Sequence, residues 1–510
     1  MRQTLQTPNV KVWRIMVSLT LFALDVPAYS AESEPVAASI AQKAELGQFM
    51  TPSAVARFMA TQFDPNRFSD VVLLDAGAGQ GALSLAFADQ WGMHASTQNR
   101  LSIHAYEFDP QMIKQLRPNI RALENDHRVK IQVIDGDFIE KAVGQIRLGK
   151  HAYTHAILNP PYKKIGTGSV ARQNLALVGV ETVNLYSAFV ALALEMVKSG
   201  GEVVAIIPRS FCNGPYYKSF RDFILARAAI RSIHLFGSRN KAFADDDVLQ
   251  ENVIIRLQKG AVQADVTISS STDAGFADLE SRSVPFAQIV HPKDGQRFIR
   301  IPTDESGGAL ANMQNYASSL AMIGVSVSTG PIVDFRLKDQ LRMQPGNGDV
   351  PLLYPGHFAG GVLQWPRPNF KKPNAIAENS VTRRWLYPIG FYVAVKRFSS
   401  KEERRRIVAY LVDPAKLPAS PVGFENHLNI LHGNRGPLPE DVARGLVVYL
   451  NAKVVDDWFR QFNGHTQVNA TDLRSLPYPD LEDLIRLGRW AKSQPALTAQ
   501  DIDQKIGTVW

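Results

Sequence analysis

Four consecutive residues, Asn159-Pro160-Pro161-Tyr162, carry groups suited to holding a planar amine. Two prolines fix φ twice and remove two backbone donors. The first also biases Asn159 toward an extended conformation. The loop is therefore stiff, with carbonyls turned outward as acceptors. The Asn159 amide oxygen and the Pro160 carbonyl can accept both N–H bonds of an exocyclic amine, and Tyr162 offers a ring for stacking. Taken alone, the tetrapeptide can also be a strand-ending turn that carries a packed tyrosine, the less favoured of the two readings. The apolar run Ala156-Ile157-Leu158 before it reads as a buried strand, so the loop stands at a strand's carboxyl end.

Upstream residues supply what such a loop needs. Val71–Asp75 is an apolar strand ending in an acid, followed by Gly77, Gly79 and Gly81 and then a helix from Ala82. The spacing differs from the dinucleotide GxGxxG fingerprint. Asp75 would repel a phosphate but suits an ammonium, which favours a cofactor with an amino-acid end, such as S-adenosylmethionine. Thr51 and Pro52 form an N-cap and first helical residue. The helix they open can offer N–H donors to a carboxylate, or can be an ordinary capped helix. A second strand, Ser102–Glu107, ends in the acid that doubly wound folds use for ribose hydroxyls. A third, Val129–Ile134, precedes Asp137, which can accept an adenine amino group, and Phe138, which can cover its face. This repeated strand-loop-helix pattern predicts an α/β fold: a doubly wound, Rossmann-like parallel sheet with its site at the switch point.

The 510 residues suffice for two or three domains, and the net charge of +8 mildly favours a polyanionic partner. One cysteine, Cys212, excludes intrachain disulfides and cysteine zinc clusters. Its Ser-Phe-Cys-Asn setting lacks the preceding proline of a nucleophile loop, which argues against attack by a thiolate on cytosine C5. Asp245, Asp246 and Asp247 have no companion histidine or second acid cluster, so they read as a solvated loop and no metal is expected. Arg2, Lys11 and Arg14, the apolar run Ile15–Leu24 and the small residues to Ala31 look like a signal peptide, too short to span a bilayer. No other stretch approaches that length. From residue 260 to 330 Ser, Gly and Thr dominate and no strand-helix repeat continues, which places a domain boundary near 300. Between Arg367 and Arg406 there are eleven Lys and Arg against three Glu, interleaved with Phe370, Trp385, Tyr387, Phe391, Tyr392 and Phe398. Such a region fits a phosphate backbone, with Arg383, Arg384, Lys396 and Arg397 as contacts, or a solvated basic face over an aromatic core. Gln467 and Asn469 in the polar stretch 464–469 can read base edges or simply form a turn.

In this order the motifs resemble the γ-class adenine-N6 DNA methyltransferases of type II restriction-modification systems. The likeness is to TaqI-like catalytic domains and to modification enzymes of the PstI/BsuBI or XhoI/PaeR7I types. It covers residues 45–260 well and the C-terminal part more loosely. It implies that Thr51 and the Asp75–Gly81 loop hold the methionine part of S-adenosylmethionine, Glu107 the ribose, and Asp137 and Phe138 the adenine. It implies that Asn159 and Pro160 grip the target amine, within the rigid Pro160-Pro161 loop. Tyr162 and Phe243 would stack on a base flipped from double-stranded DNA. The implied organisation is an uncleaved extension over 1–45, a methyltransferase domain over 46–300 and an α+β target-recognition domain over 301–510. Since DNA and the cofactor are cytoplasmic, a cytoplasmic monomer without membrane contact, paired with a restriction endonuclease, is expected. Cytosine-N4 or RNA methylation shares this chemistry. Protein-glutamine methylation also does, but in shorter chains without a basic C-terminal domain. An intact cofactor loop speaks against a non-catalytic specificity protein.

Overall fold

The computed structural model describes residues 50–64, 67–150, 152–237, 251–292, 294–302, 313, 316, 318–399, 403–463 and 466–509. Residues 46–510 form one compact unit. Its first part is a nine-stranded sheet of β1 (Asp70–Ala76), β2 (Arg100–Glu107), β3 (Val129–Asp135), β4 (Tyr153–Leu158), β5 (Val197–Pro208), β6 (Ala228–Phe236), β7 (Asn252–Lys259), β8 (Val266–Ser271) and β9 (Glu280–Val284). The spatial order is β3-β2-β1-β4-β5-β7-β6-β8-β9. Strands β3 to β5 are mutually parallel. Side chains alternate between faces with the strand period of two. In β5, Val203, Ala205 and Ile207 pack under the helices Phe138–Arg147, Leu185–Met196 and Lys218–Arg227. Val204 and Ile206 pack on the other face, under Ser53–Thr61 and Ala82–His94. Being covered on both faces, the stretches 71–74, 156–158 and 203–207 read as continuous apolar runs.

Two expectations need correction. The sheet is mixed, not wholly parallel: β7 is antiparallel to both β5 and β6, between which it inserts, and β9 is antiparallel to β8. The stretch after residue 260 also continues the sheet, with β8 pairing parallel to β6. Residues of β9 are mostly exposed at the sheet edge, so their polar composition hid a strand.

The C-terminal part is α+β. One small sheet has the order β10 (Ser326–Thr329), β17 (Leu428–His432), β14 (Tyr392–Lys396), β15 (Ala409–Val412). Another has β11 (Leu341–Arg342), β13 (Ala375–Ala377), β12 (Asp349–Leu353), β16 (Gly423–Phe424). Helices follow, with Glu440–Leu450 packed on Leu481–Ser493 so closely that a Cβ at Gly445 or Gly488 would collide with a facing carbonyl. No helix of the described residues is long and apolar enough to cross a membrane.

A buried polar seam joins the carboxyl end of β5 to this helical region. The Arg209 guanidinium donates to Glu251 at 2.7 Å and to the carbonyls of Arg460 and Gln461 at 2.8 and 2.7 Å. Phe298 stacks on Phe462, and the Ile301 N–H donates to Gln461. Removing one member of a buried ion pair leaves the other charge uncompensated, at a cost of about 3–5 kcal/mol. Glu251→Ala should lower the denaturation midpoint accordingly, measured in urea against the unchanged chain; an unaltered midpoint would contradict the seam's role.

Candidate active site

Parallel register sets Asp75 opposite Ala105 and Ile157, and Glu107 opposite Asp135. The strand ends therefore open onto one edge. After β1 the chain turns through Gly77, Gly79 and Gly81, with φ of 78°, 55° and 91°, a region where side chains are disfavoured. Gly81 is doubly constrained, since a Cβ there would lie 2.6 Å from Ile120. The N–H groups of Gly77 and Ala78 donate to the Tyr106 carbonyl at 2.9 Å. Glu107 then ties two loops together. Its carboxylate accepts from Gly79 N–H at 2.8 Å, Phe108 N–H at 2.8 Å and Asp109 N–H at 2.9 Å.

Asp75 is fully buried behind the glycine loop. Its Oδ2 accepts from the Ser84 hydroxyl at 2.6 Å, while Oδ1 has no hydrogen-bond partner among the described residues. Burial is the main cause of a carboxyl pKa raised to about 7, opposed by the Ser84 bond and reinforced by the Glu107 charge. Asp137 caps the helix Phe138–Arg147, accepting from Glu140 N–H at 3.1 Å. The Phe138 ring is wedged edge-on to Tyr106 and tilted against Phe189.

At the end of β4, Asn159 is held from both sides. Its Nδ2 donates to Thr51 Oγ1 at 2.9 Å, and its Oδ1 accepts from the Tyr162 hydroxyl at 3.2 Å. That hydroxyl also lies 3.3 Å from the Ile206 carbonyl, and the half-buried ring meets Tyr186 edge-on. Burial raises the Tyr162 phenol above its ordinary range.

A cavity of about 270 Å³ brings together Gly77, Gly79, Glu107, Asp137, Phe138 and Asn159, with Pro161 also on its wall. Thr51, Asp75, Gly81, Pro160 and Tyr162 are not on that wall. Phe243 lies outside the described residues. Sequence reasoning missed Phe108, Met112 and Lys163, which also line the cavity. Phe108 is 64% exposed, and its signal was its position directly after a strand-ending acid. Cys212 is fully buried and its thiol is pushed up to about 12, so it is no attacking thiolate. No cluster of three or more His, Cys, Asp or Glu among the described residues could hold a metal.

The basic region is narrower in space than in sequence. Arg383 is largely exposed, 3.5 Å from Glu378, and the Arg384 guanidinium sits over Trp385. Lys396 pairs with Glu403 at 2.8 Å. Arg397 donates to the Asn426 carbonyl at 3.1 Å and to Gln467 Oε1 at 3.4 Å. Asn469 caps the helix Ala470–Arg474 in a reciprocal box with Asp472. Arg406, Tyr387 and Tyr392 are buried, because the aromatic rings pack the sheet core and Arg406 bonds to Ser399 and Asn463.

Residues 72–243 match the family described as Eco57I restriction-modification methylase. The chain is 48% identical to the Type II methyltransferase M.BsuBI of Bacillus subtilis over 91% of its own length and 94% of the relative's. The chain belongs to the Type II restriction-modification DNA methyltransferases. It is also 43% identical to the Type II methyltransferase M.PstI of Providencia stuartii, covering 87% of this chain and 88% of that one. The Type IIL restriction-modification enzyme MmeI, solved in complex with DNA, shares the fold, with a TM-score of 0.51 at 11% identity over 89% of this chain and 72% of that one.

The methyl donor of this methyltransferase is S-adenosylmethionine, and the residues fit it. Asp75 has an unpartnered oxygen suited to a cation, the glycine loop leaves open space at Gly79, and Phe108 offers an apolar face. A carboxyl whose folded pKa is raised contributes stability that is complete below its unfolded pKa of about 4 and is lost as pH rises through about 7. Asp75→Asn should therefore raise the melting temperature of the ligand-free protein at pH 8, with the gain vanishing near pH 4. Parallel melting-temperature profiles for the two proteins would contradict this.

Proposed function

We propose that this methyltransferase transfers a methyl group to the N6 amine of an adenine flipped from double-stranded DNA, within a specific sequence. Methylation then protects the site from a cognate restriction endonuclease. The observation that carries this reading is Asn159, clamped between Thr51 and Tyr162 on the wall of the cavity that the glycine loop and Glu107 also line. The cofactor, when bound, supplies a sulfonium methyl that is already electrophilic. Asp75 would face its ammonium from behind the glycine loop, Glu107 would hold the ribose, and Asp137, Phe138 and Phe108 would hold the adenine end. Thr51 orients Asn159 through its hydroxyl.

Asn159 Oδ1 and the Pro160 carbonyl accept the two N–H bonds of the target amine. Acceptance at both bonds favours a pyramidal nitrogen and returns to it a lone pair otherwise delocalised into the ring. The rigid Pro160-Pro161 backbone keeps these acceptors in place, so positioning and electrostatics supply the catalysis. Tyr162 stacks on the extruded base, with Phe243 as the second ring. Residues 46–300 carry this chemistry and 301–510 read the DNA, where Arg383, Arg384 and Arg397 contact phosphates, Lys396 contacts the DNA beside them, and Gln467 and Asn469 approach base edges. The hydrogen bonds of Asn469 to Asp472 limit it to contacts through its remaining donor or acceptor capacity.

Asn159→Ala is expected to cut the turnover number at least about 100-fold while S-adenosylmethionine binding by calorimetry stays intact. Near-normal turnover would overturn the proposed role. Sequencing modified bases in DNA from cells expressing the chain should show N6-methyladenine at one sequence; N4-methylcytosine there would transfer the reading to the cytosine-N4 enzymes. Neutralising Arg383 and Arg384 together should flatten the slope of log affinity against log salt by about 1–2, one for each phosphate no longer neutralised. An unchanged slope would remove these two from the DNA interface.

A further inference from the structure

A second cleft, of about 300 Å³, opens where β12 and β14 end and where the turn precedes β17. Its walls include the rings of Tyr354, Phe370, Phe398 and His427 and the side chains of Lys372 and Lys396. Beneath it lies Glu425, fully buried. The Glu425 carboxylate accepts from the His427 backbone N–H at 2.9 Å and sits 2.6 Å from His427 Nδ1. The Glu425 N–H donates to the Leu353 carbonyl at 3.0 Å, which anchors this turn to β12. A carboxylate against Nδ1 fixes the imidazole's orientation and leaves Nε2 as the ring's remaining polar atom. His427 is half-exposed and its ring lies 5.0 Å from that of Phe398. The Tyr354 hydroxyl is buried without a hydrogen-bond partner among the described residues.

The charge balance says what this cleft can take. Lys372 pairs with Asp334 at 3.0 Å and Lys396 with Glu403 at 2.8 Å. Glu425 adds a third carboxylate, while Arg367 and Arg397 lie against the rings of Phe370 and Phe398 and donate to the carbonyls of Gly356 and Asn426. Both lining cations are already paired, so the cleft offers ring faces, an oriented imidazole and paired ammonium donors rather than a free charge for a phosphodiester. That is the chemistry of a nucleobase.

Resting on the DNA-methylation reading above, we propose that this cleft receives one nucleobase of the recognition sequence. His427 reads its edge, and Glu425 is the positioning residue that holds the imidazole. Phe370 and Phe398 form apolar walls beside it, and Lys372 and Lys396 present donors already oriented by their acid partners.

The test uses the full chain and the sequence found by modified-base sequencing. Methylation kcat/KM is measured on the cognate duplex and on duplexes altered one base pair at a time, for the unchanged protein, His427→Ala and His427→Gln. The glutamine variant keeps a polar group at this half-exposed position and guards against a folding defect in the alanine variant. Calorimetric binding of S-adenosylmethionine reports that each variant is folded. The expected result is unchanged cofactor affinity and salt slope, with discrimination at one base-pair position reduced about tenfold or more. A uniform loss across all duplexes with the salt slope reduced by about 1 would make His427 a phosphate contact and overturn the proposal. Unaltered discrimination at every position would overturn it as well. Failure of the unchanged protein to methylate any duplex would instead overturn the function on which the proposal rests.

Discussion

Parallel pairing of β1 with β2 and β4 is the interaction on which the site depends. In a parallel ladder every strand points the same way, so the residues that end each strand must emerge on one edge. The register places Asp75 level with Ala105 and Ile157. That alone brings a glycine loop, the Glu107 carboxylate and Asn159 within one cavity although they are tens of residues apart in sequence. Antiparallel β7 does not disturb this edge, because it inserts beyond β5, on the side away from β1.

At that edge the chain accepts one costly arrangement. Asp75 is a buried carboxyl with a single hydrogen bond to Ser84 and with a second acid, Glu107, nearby. Desolvation on this scale normally neutralises a carboxyl or calls for a cation. In the reading proposed above, a ligand ammonium would answer the second requirement. Glu107 is treated differently. Three backbone N–H groups satisfy its oxygens, and it serves as a brace between two loops as well as a wall of the cavity.

The seam ties the large sheet to the C-terminal helices. Arg209 follows β5 directly and reaches carbonyls of the helix Lys453–Phe462, while Asn213 donates to Asp472 of the next helix at 3.2 Å. Burial raises the Asp472 carboxyl to about 6, and hydrogen bonds from Asn469, Asn213 and Asn463 oppose that. The same carboxylate that receives Asn213 also receives Asn469, beside Gln467. The carboxyl end of β5 and the cap residue Asn469 are thus braced by one buried group.

The catalytic half was legible in the amino-acid order because its signals are local. Prolines and glycines constrain φ wherever they stand, an acid after an apolar run marks a strand end, and doubly covered strands are apolar throughout. These establish the tetrapeptide, the glycine loop, Glu107, Asp137 and an α/β sheet without reference to distant residues. What only the tertiary structure decided depends on which face a side chain turns to and on which distant group it meets. The polar strand β8 and the edge strand β9 carry no apolar run, so their place in the sheet follows only from pairing. A dense run of basic and aromatic residues reads as one surface, yet Arg406, Tyr387 and Tyr392 turn inward and Lys396 finds an acid partner. Thr51 meets Asn159, and His427 meets Glu425 over the aromatic cleft, because strand ends and turns converge in space. Local backbone constraint is written in neighbouring residues, whereas burial and pairing are properties of the folded chain.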